Sequence, residues 1–431
     1  MKVWAFFTLL CISMGTTRAD AIPVAQPAAT VPVPATGSQP AHVPAAKALA
    51  PLKEQAYPAI TLKQEGNRTI IPICTSYPLR GDSNIVSRQM LAGVENYLRE
   101  FKFFTKTIDD KKLTYVIEHE KNNKSLGNIE PAYVSKLLSK SPIMLGVVDT
   151  EALLSLEPYL KRKQMLLLFP MEGSPAIRNK KYDNLIFFRP SHQRELEVLV
   201  EYALNHKHKD VVGILHEAST WGNSTAAALK KILREYKIEP VVVATYSQGT
   251  VDIDQALSKI AKKTPNVVFC LAKPRPAYTF ISNAMNVGLH ESLFLGLSDL
   301  NVIQKLLKTS RGLDITVTSV IPNTNADIPI ARAYKKAMQS FLSFRDDSPF
   351  YFEAFINLAL FEHSLKQIPG TAISIPGIIS ALEGYNNVDF HGITLSFNRA
   401  DRSLSQALWI NPGLNQPWID ATTWRRHAKK D

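Results

Sequence analysis

The sequence predicts an α/β protein of two lobes, each a mostly parallel sheet flanked by helices. Three observations carry that reading. From Leu62 onward short apolar runs alternate with amphipathic stretches, the rhythm of βαβ units. At 431 residues the chain is too long for one ordinary core. After Ile321 the rhythm yields to two long helical stretches, so the chain runs through two α/β units and then returns.

The first residues form a targeting segment. Lys2 supplies a positive start, Val3 to Gly15 an apolar stretch, and Thr17-Arg18-Ala19 a small residue before a cut. Residues 1–19 are therefore expected to be a cleaved signal peptide, with Asp20 as the mature start. The thirteen residues of the apolar stretch fall short of the roughly 20 that span a bilayer. Leu10 precedes Cys11 where a bacterial lipoprotein signal needs a small residue, so no lipid anchor is expected. Residues 20–58 are rich in Pro and Ala, with few large apolar side chains to bury, and read as an extended linker.

Strands are expected at TIIPI (69–73), LTYVIEHE (113–120), IMLGVV (143–148), MLLLF (165–169) and LIFF (185–188). A second set follows at VVGILH (211–216), PVVVATY (240–246), NVVFCL (266–271), LFLGL (293–297) and DITVTSVI (314–321). Runs apolar on both faces suit strands covered by helices on both sides. Between them the spacing predicts helices, among them SRQMLAGVENYLREF (87–101) and NSTAAALKKILREYK (223–237). The first aligns Met90, Val94 and Leu98; the second aligns Leu229, Ile232, Leu233 and Tyr236. ADIPIARAYKKAMQSFL and SPFYFEAFINLALFEHSLKQI form the helical return, and GITLSFN (392–398) alternates like a strand.

Hydrophobic residues at 45% and charged residues at 20% describe a soluble globular chain. The formal charge is +12, and removal of Lys2 and Arg18 with the signal leaves +10. These charges are scattered over helix ends and faces, without a basic-aromatic motif, which argues against nucleic acid as a partner. Cys74 and Cys270 each end an apolar run and read as small core residues, with a disulfide between them left open. There is no G-x-S-x-G elbow, no H-E-x-x-H and no P-loop, so no enzyme, metal or cofactor is expected. His206 and His208 flank Lys207 at a polar helix end and do not suggest a metal pair.

Several stretches, taken in order, carry a resemblance. They are SYPLRGDSNIVSRQMLAGVENYL (76–98), IMLGVVDTEALLSLEPYLKRKQMLLLFPMEGSPAIR, VVGILHEASTWGNSTAAALKK, NVVFCLAKPRPAYTFISNAMNVGLHESLFLGLSD and DFHGITLSFNRADRSLSQALWI. Together they resemble the type I periplasmic solute-binding proteins, specifically the leucine/isoleucine/valine-binding branch, over about Ile60 to Asn411. No single motif is strong; the colinearity carries the match. The resemblance implies two lobes joined by three hinge crossovers, with a ligand closed between them. Lobe 1 is then expected over 59–188 and 318–400, and lobe 2 over 189–317 and 401–418, with a basic tail over 419–431.

The resemblance also implies a site. Met171-Glu172-Gly173-Ser174 falls at the first-lobe binding loop, where backbone N–H groups and a small hydroxyl hold a carboxylate. Thr150 falls at a hydroxyl position on the adjacent loop, or caps the helix after it. Trp221 falls where an aromatic ring closes over the ligand, or packs beneath its turn. Asp299 lies at or beside the partner of a ligand ammonium, with Ser298 as the other choice, or else caps the next helix.

Two departures stand out. Glu172 replaces a small residue, and ionised in the cleft it would repel a ligand carboxylate by about 1–4 kcal/mol. Ser174 would then have to supply the hydroxyl that Gly173 lacks. Lys273-Pro274-Arg275-Pro276 reads as a basic loop that pairs with Glu172, holds an anion or is simply solvated. The reading is of a periplasmic, monomeric receptor that delivers an amino-acid-like solute to a membrane ABC permease. Its competitor is an envelope regulator or sensor on the same fold, with an altered or lost solute site.

Overall fold

The computed structural model describes residues 56–66, 68–77, 84–100, 105–108, 113–119, 129–339, 348–369 and 373–424. The expected signal peptide, most of the linker, residues 78–83 and the last seven residues lie outside these.

The first sheet contains β1 (Lys63–Glu65), β2 (Arg68–Thr75), β3 (Thr105–Ile108), β4 (Leu113–His119), β5 (Ile143–Leu145), β6 (Leu166–Leu168) and β7 (Leu185–Ile186). Its order is β3-β4-β2-β5-β6-β7, parallel except for β3. β1 lies antiparallel on the first half of β2, and β5 takes up the same edge at Cys74. The second sheet begins with β8 (Val212–Ala218), β9 (Val242–Ser247), β10 (Val267–Leu271), β11 (Leu293–Gly296) and β12 (Thr316–Ser319). After a hairpin of β13 (Val388–Phe390) and β14 (Ile393–Leu395) it is completed by β15 (Trp409–Asn411) and β16 (Ile419–Asp420). Its order is β16-β15-β12-β11-β10-β8-β9, and only β15 and β16 run antiparallel to their neighbours.

Alternation within the apolar runs builds the layers. Leu166 and Leu168 face one core while Leu167 faces another. In β10, Val267, Phe269 and Leu271 share the first core, and Val268 and Cys270 enter the second-sheet core. Each fully buried side chain of this kind stabilises by about 1.5–3 kcal/mol. Helix Pro349–Gln367 packs on helix Asn84–Glu100. Tyr97 there meets Phe355 edge-on at 4.9 Å and donates to Glu362 Oε2 at 2.9 Å. No helix among the described residues is long and apolar enough to cross a membrane.

The chain passes between the sheets three times: after β7, after β12 and before β15. Two of these passages run side by side. Phe187 N donates to Arg402 O, Leu404 N to Phe187 O and Ser405 N to Phe188 O. That pairing explains why LIFF gives a strand of only Leu185–Ile186: its second half bonds the returning chain instead.

Three expectations change. The segment from 419 opens with a strand rather than a tail, and Trp424 stacks on His206 at 4.3 Å. The helix expected from 223 starts at Thr220, because Ser219 Oγ caps it by accepting from Gly222 N. Lys273-Pro274-Arg275-Pro276 is not a loop but the entry to helix Pro274–Ala284, with proline at its first position. Cys74 and Cys270 are buried thiols in different layers, and Cys74 Sγ donates to Leu137 O at 3.4 Å.

Candidate functional site

Parallel strands end where ligands gather, at their carboxyl edges. The loops leaving β5 and β6 meet those leaving β8, β10 and β11 around one small cavity of about 30 Å³. That is room for about two water molecules and far too little for a solute. Asp149, Met171 and Glu172 line it from the first sheet, and Trp221, Lys273 and Asp299 from the second. Arg189 and His192 enter from the first passage between sheets.

On the first-sheet side Asp149, not Thr150, caps helix Thr150–Ser155, its Oδ1 accepting from Glu151 N at 3.0 Å. Asp149 has φ 96, a conformation that costs energy for any residue but glycine and that clusters at functional sites. Thr150 is freed to donate its hydroxyl to Glu172 Oε2 at 2.8 Å. Glu172 is 3% exposed and turns onto its own loop: Oε1 accepts from Gly173 N at 2.9 Å and Ser174 N at 2.6 Å. Burial lifts its carboxyl above the ordinary value, against the pull of Lys273, the Ser174 N–H and the Thr150 hydroxyl. A Cβ at position 173 would lie 2.3 Å from His192 Cδ2, so only glycine fits there. Ser174 does not face the cavity. Its hydroxyl caps helix Pro175–Arg178 and hydrogen-bonds Ser224 Oγ of the opposite side at 3.0 Å.

On the second-sheet side Lys273 and Arg275 part company: Arg275 is exposed and Lys273 buried. Lys273 Nζ reaches across to Asp149 Oδ2 at 3.3 Å and sits 4.5 Å from the centre of the Trp221 ring. Burial works against this ammonium, but Asp149, Glu217, Asp299 and Glu172 outweigh it and raise its pKa. Asp149 answers in kind, with burial overcome by Lys273 and its carboxyl held below the ordinary value. The expected pairing of the basic segment with Glu172 is thus directed to Asp149 instead. Trp221 is 2% exposed, lines the cavity and donates Nε1 to His192 Nδ1 at 3.3 Å. That bond needs a neutral imidazole, and burial together with Arg189, Arg178 and Lys273 holds the His192 pKa well below its usual value.

Asp299 lines the cavity rather than capping a helix, and among the described residues none hydrogen-bonds its buried Oδ1. Burial lifts its carboxyl to about 7, with Lys273 pulling back and Glu195 adding repulsion. Ser298 instead accepts from Arg189 Nη1 at 3.3 Å and donates its N–H to Glu195 Oε2 at 2.9 Å.

Four contributors went unread in the sequence: Asp149, Arg178, Arg189 and His192. Arg189 forms a two-point pair with Glu353 at 2.9 and 2.6 Å, and both partners are buried. Arg178 donates Nη2 to the carbonyls of Glu172, Arg189 and Pro190 and lies 3.5 Å from the centre of the Phe187 ring. The available signal was position: Arg189-Pro190-Ser191-His192 directly follows the apolar run LIFF. Among the described residues no cluster of three or more His, Cys, Asp or Glu is arranged to hold a metal ion.

A family model described as "Periplasmic binding protein" matches residues 71–411. The chain belongs to the periplasmic binding protein family. Its two sheets, flanked by helices and joined by three crossovers, are the type I fold of that family. A substrate-binding periplasmic protein from Ralstonia solanacearum superposes with TM-score 0.68 at 20% identity, over 81% of this chain and 99% of its own. A possible leucine/isoleucine/valine-binding protein from Rhodopirellula baltica gives 0.70 at 19%, over 83% and 97%. A branched chain amino acid ABC transporter structure from Thermus thermophilus with bound valine gives 0.66 at 16%, over 82% and 96%. No curated protein matches the chain in sequence. At these identities the solved structures speak for the fold.

Proposed function

We propose that this periplasmic binding protein is an exported receptor that closes its two lobes over a small polar solute, an amino acid or related amine, and presents it to a membrane ABC permease. The observation that supports this reading is the cavity itself, walled from both sheets at their strand ends by charged groups and one indole ring. Its charge balance favours a cationic head group. Arg189 is already neutralised by Glu353, which leaves Lys273 facing Asp149, Glu172 and Asp299. A solute ammonium would meet Asp299 and the face of Trp221, where Lys273 Nζ now lies. With room for only a couple of waters, entry requires the lobes to part and Lys273 to leave Asp149.

The test is a thermal-shift and calorimetric screen of mature protein, unfolded and refolded to remove carried solute. The panel holds amino acids, small amines and small organic anions. A ligand at 100 times its Kd adds about 2.7 kcal/mol, a shift of several degrees. Trp221→Ala should weaken the best ligand about tenfold or more while the protein still melts cooperatively. Unchanged affinity would remove Trp221 from the site.

A second reading, an envelope regulator with no solute, draws support from the way Lys273 and Asp149 already satisfy each other across the cleft. Silence from the whole panel, with an envelope partner captured instead, would favour it.

A further inference from the structure

Glu172 is held in an unusual way. Two consecutive backbone N–H groups, Gly173 and Ser174, converge on one carboxylate oxygen, and a side-chain hydroxyl, Thr150 Oγ1, donates to the other. Three donors on the two oxygens of one carboxylate make an anion-binding nest. The nest is rigidly built. Gly173 has no room for a side chain beside His192, Ser174 Oγ is committed to Ala176 N and Ser224, and Arg178 grips the Glu172 carbonyl. The other titratable groups around it are Lys273 and Arg178, which draw the carboxylate, Asp149 and Asp299, which repel it, and His192 at 4.0 Å from Oε1.

We propose that this nest is a carboxylate-binding site whose occupant is the chain's own Glu172, a tethered ligand that shuts out carboxylates from solution. Its ligand class is the small carboxylates, and its resident carboxylate is intramolecular and therefore present at high effective concentration. A solute entering the cleft must leave this site alone and be recognised through its cationic or neutral part. The assignment stands whether or not the cleft also takes a solute, because it concerns the donors around Glu172 and not the route of transport.

The experiment is chemical rescue. Glu172→Ala deletes a CH₂–COO⁻ group and leaves a space matched to acetate. The variant should melt several degrees below the wild type. Sodium acetate, compared with sodium chloride at equal ionic strength, should restore much of the loss along a saturable curve. The wild type should show no acetate response. A cooperatively melting Glu172→Ala protein indifferent to acetate would overturn the proposal, as would a wild type responding equally. Should Glu172→Ala fail to fold, the wild type still decides. The amide protons of Gly173 and Ser174 should lie downfield and follow one carboxyl titration that 50 mM acetate, on the order of an ordinary buffer concentration, does not disturb. Amide shifts that do not follow that titration would overturn it equally. A failed solute screen with successful acetate rescue would sink the receptor reading alone.

Discussion

At the scale of single residues, Asp299 is the group whose behaviour should be most visible. Its carboxyl is lifted by burial to about 7, and its Oδ1 has no partner among the described residues. The folded state therefore holds a proton that the unfolded chain releases near an ordinary aspartate value. Stability contributed by the neutral acid is present at low pH and is lost as pH rises through about 7. Asp299→Asn keeps the neutral shape without the titration. Relative to the wild type it should gain stability from pH 4 to pH 8, with most of the gain reached near 7. Paired melting curves across that range check this, and a constant difference would mean Asp299 stays ionised when folded. The same titration gives function a sign. A cationic solute should bind more tightly as pH rises and Asp299 ionises.

Among elements, the four-residue helix Pro175–Arg178 and the loop before it depend on one guanidinium. Arg178 remains cationic although burial pulls its pKa down to about 10, and it ties the Glu172 loop to the first passage and to Asp401. Arg178→Ala would leave three buried carbonyls with less than their full complement of donors. A loss on the order of 3 kcal/mol is expected in urea unfolding, with looser closure of the Glu172 loop. A loss under about 1 kcal/mol would show that water replaces the guanidinium freely. Elements also show where the sequence was readable. Strands such as 267–271 were legible because alternate residues bury on opposite faces, and the loops around the cavity because they follow such strands. Lys273-Pro274-Arg275-Pro276 was not, since a proline pair reads as a loop unless its first member starts a helix. Nor could sequence show that Ser174 turns away, or that Asp149 takes the cap from Thr150. Those outcomes depend on Ser224 and Lys273, which lie far along the chain.

For the whole molecule, the question is what holds the two sides together. Lys273 to Asp149 at 3.3 Å and Ser174 to Ser224 at 3.0 Å join the first-sheet loops to the second-sheet side across the cavity. The ion pair is the stronger, with its side chains only 10% and 11% exposed and the Trp221 ring behind the ammonium. Removing one partner of a buried pair ordinarily costs about 3–5 kcal/mol, because the other charge is left without compensation. Here the molecule has an escape that a rigid core lacks. By opening, it returns Asp149 to water at the cost of the remaining contacts across the cavity. Lys273→Met should therefore lower the melting temperature little but shift the population toward open forms, at tenfold for each 1.4 kcal/mol lost from the closed state, a conversion on the order of RT ln 10. Small-angle scattering should then give a larger radius of gyration for Lys273→Met than for the wild type, with no solute present. High salt should move the wild type in the same direction only slightly, since a buried pair is poorly screened. Equal radii for both proteins would mean that the apolar contacts around Trp221 close the lobes and that Lys273 is only a passenger. A closed wild type and an open variant would make this lysine the latch that any entering solute has to displace.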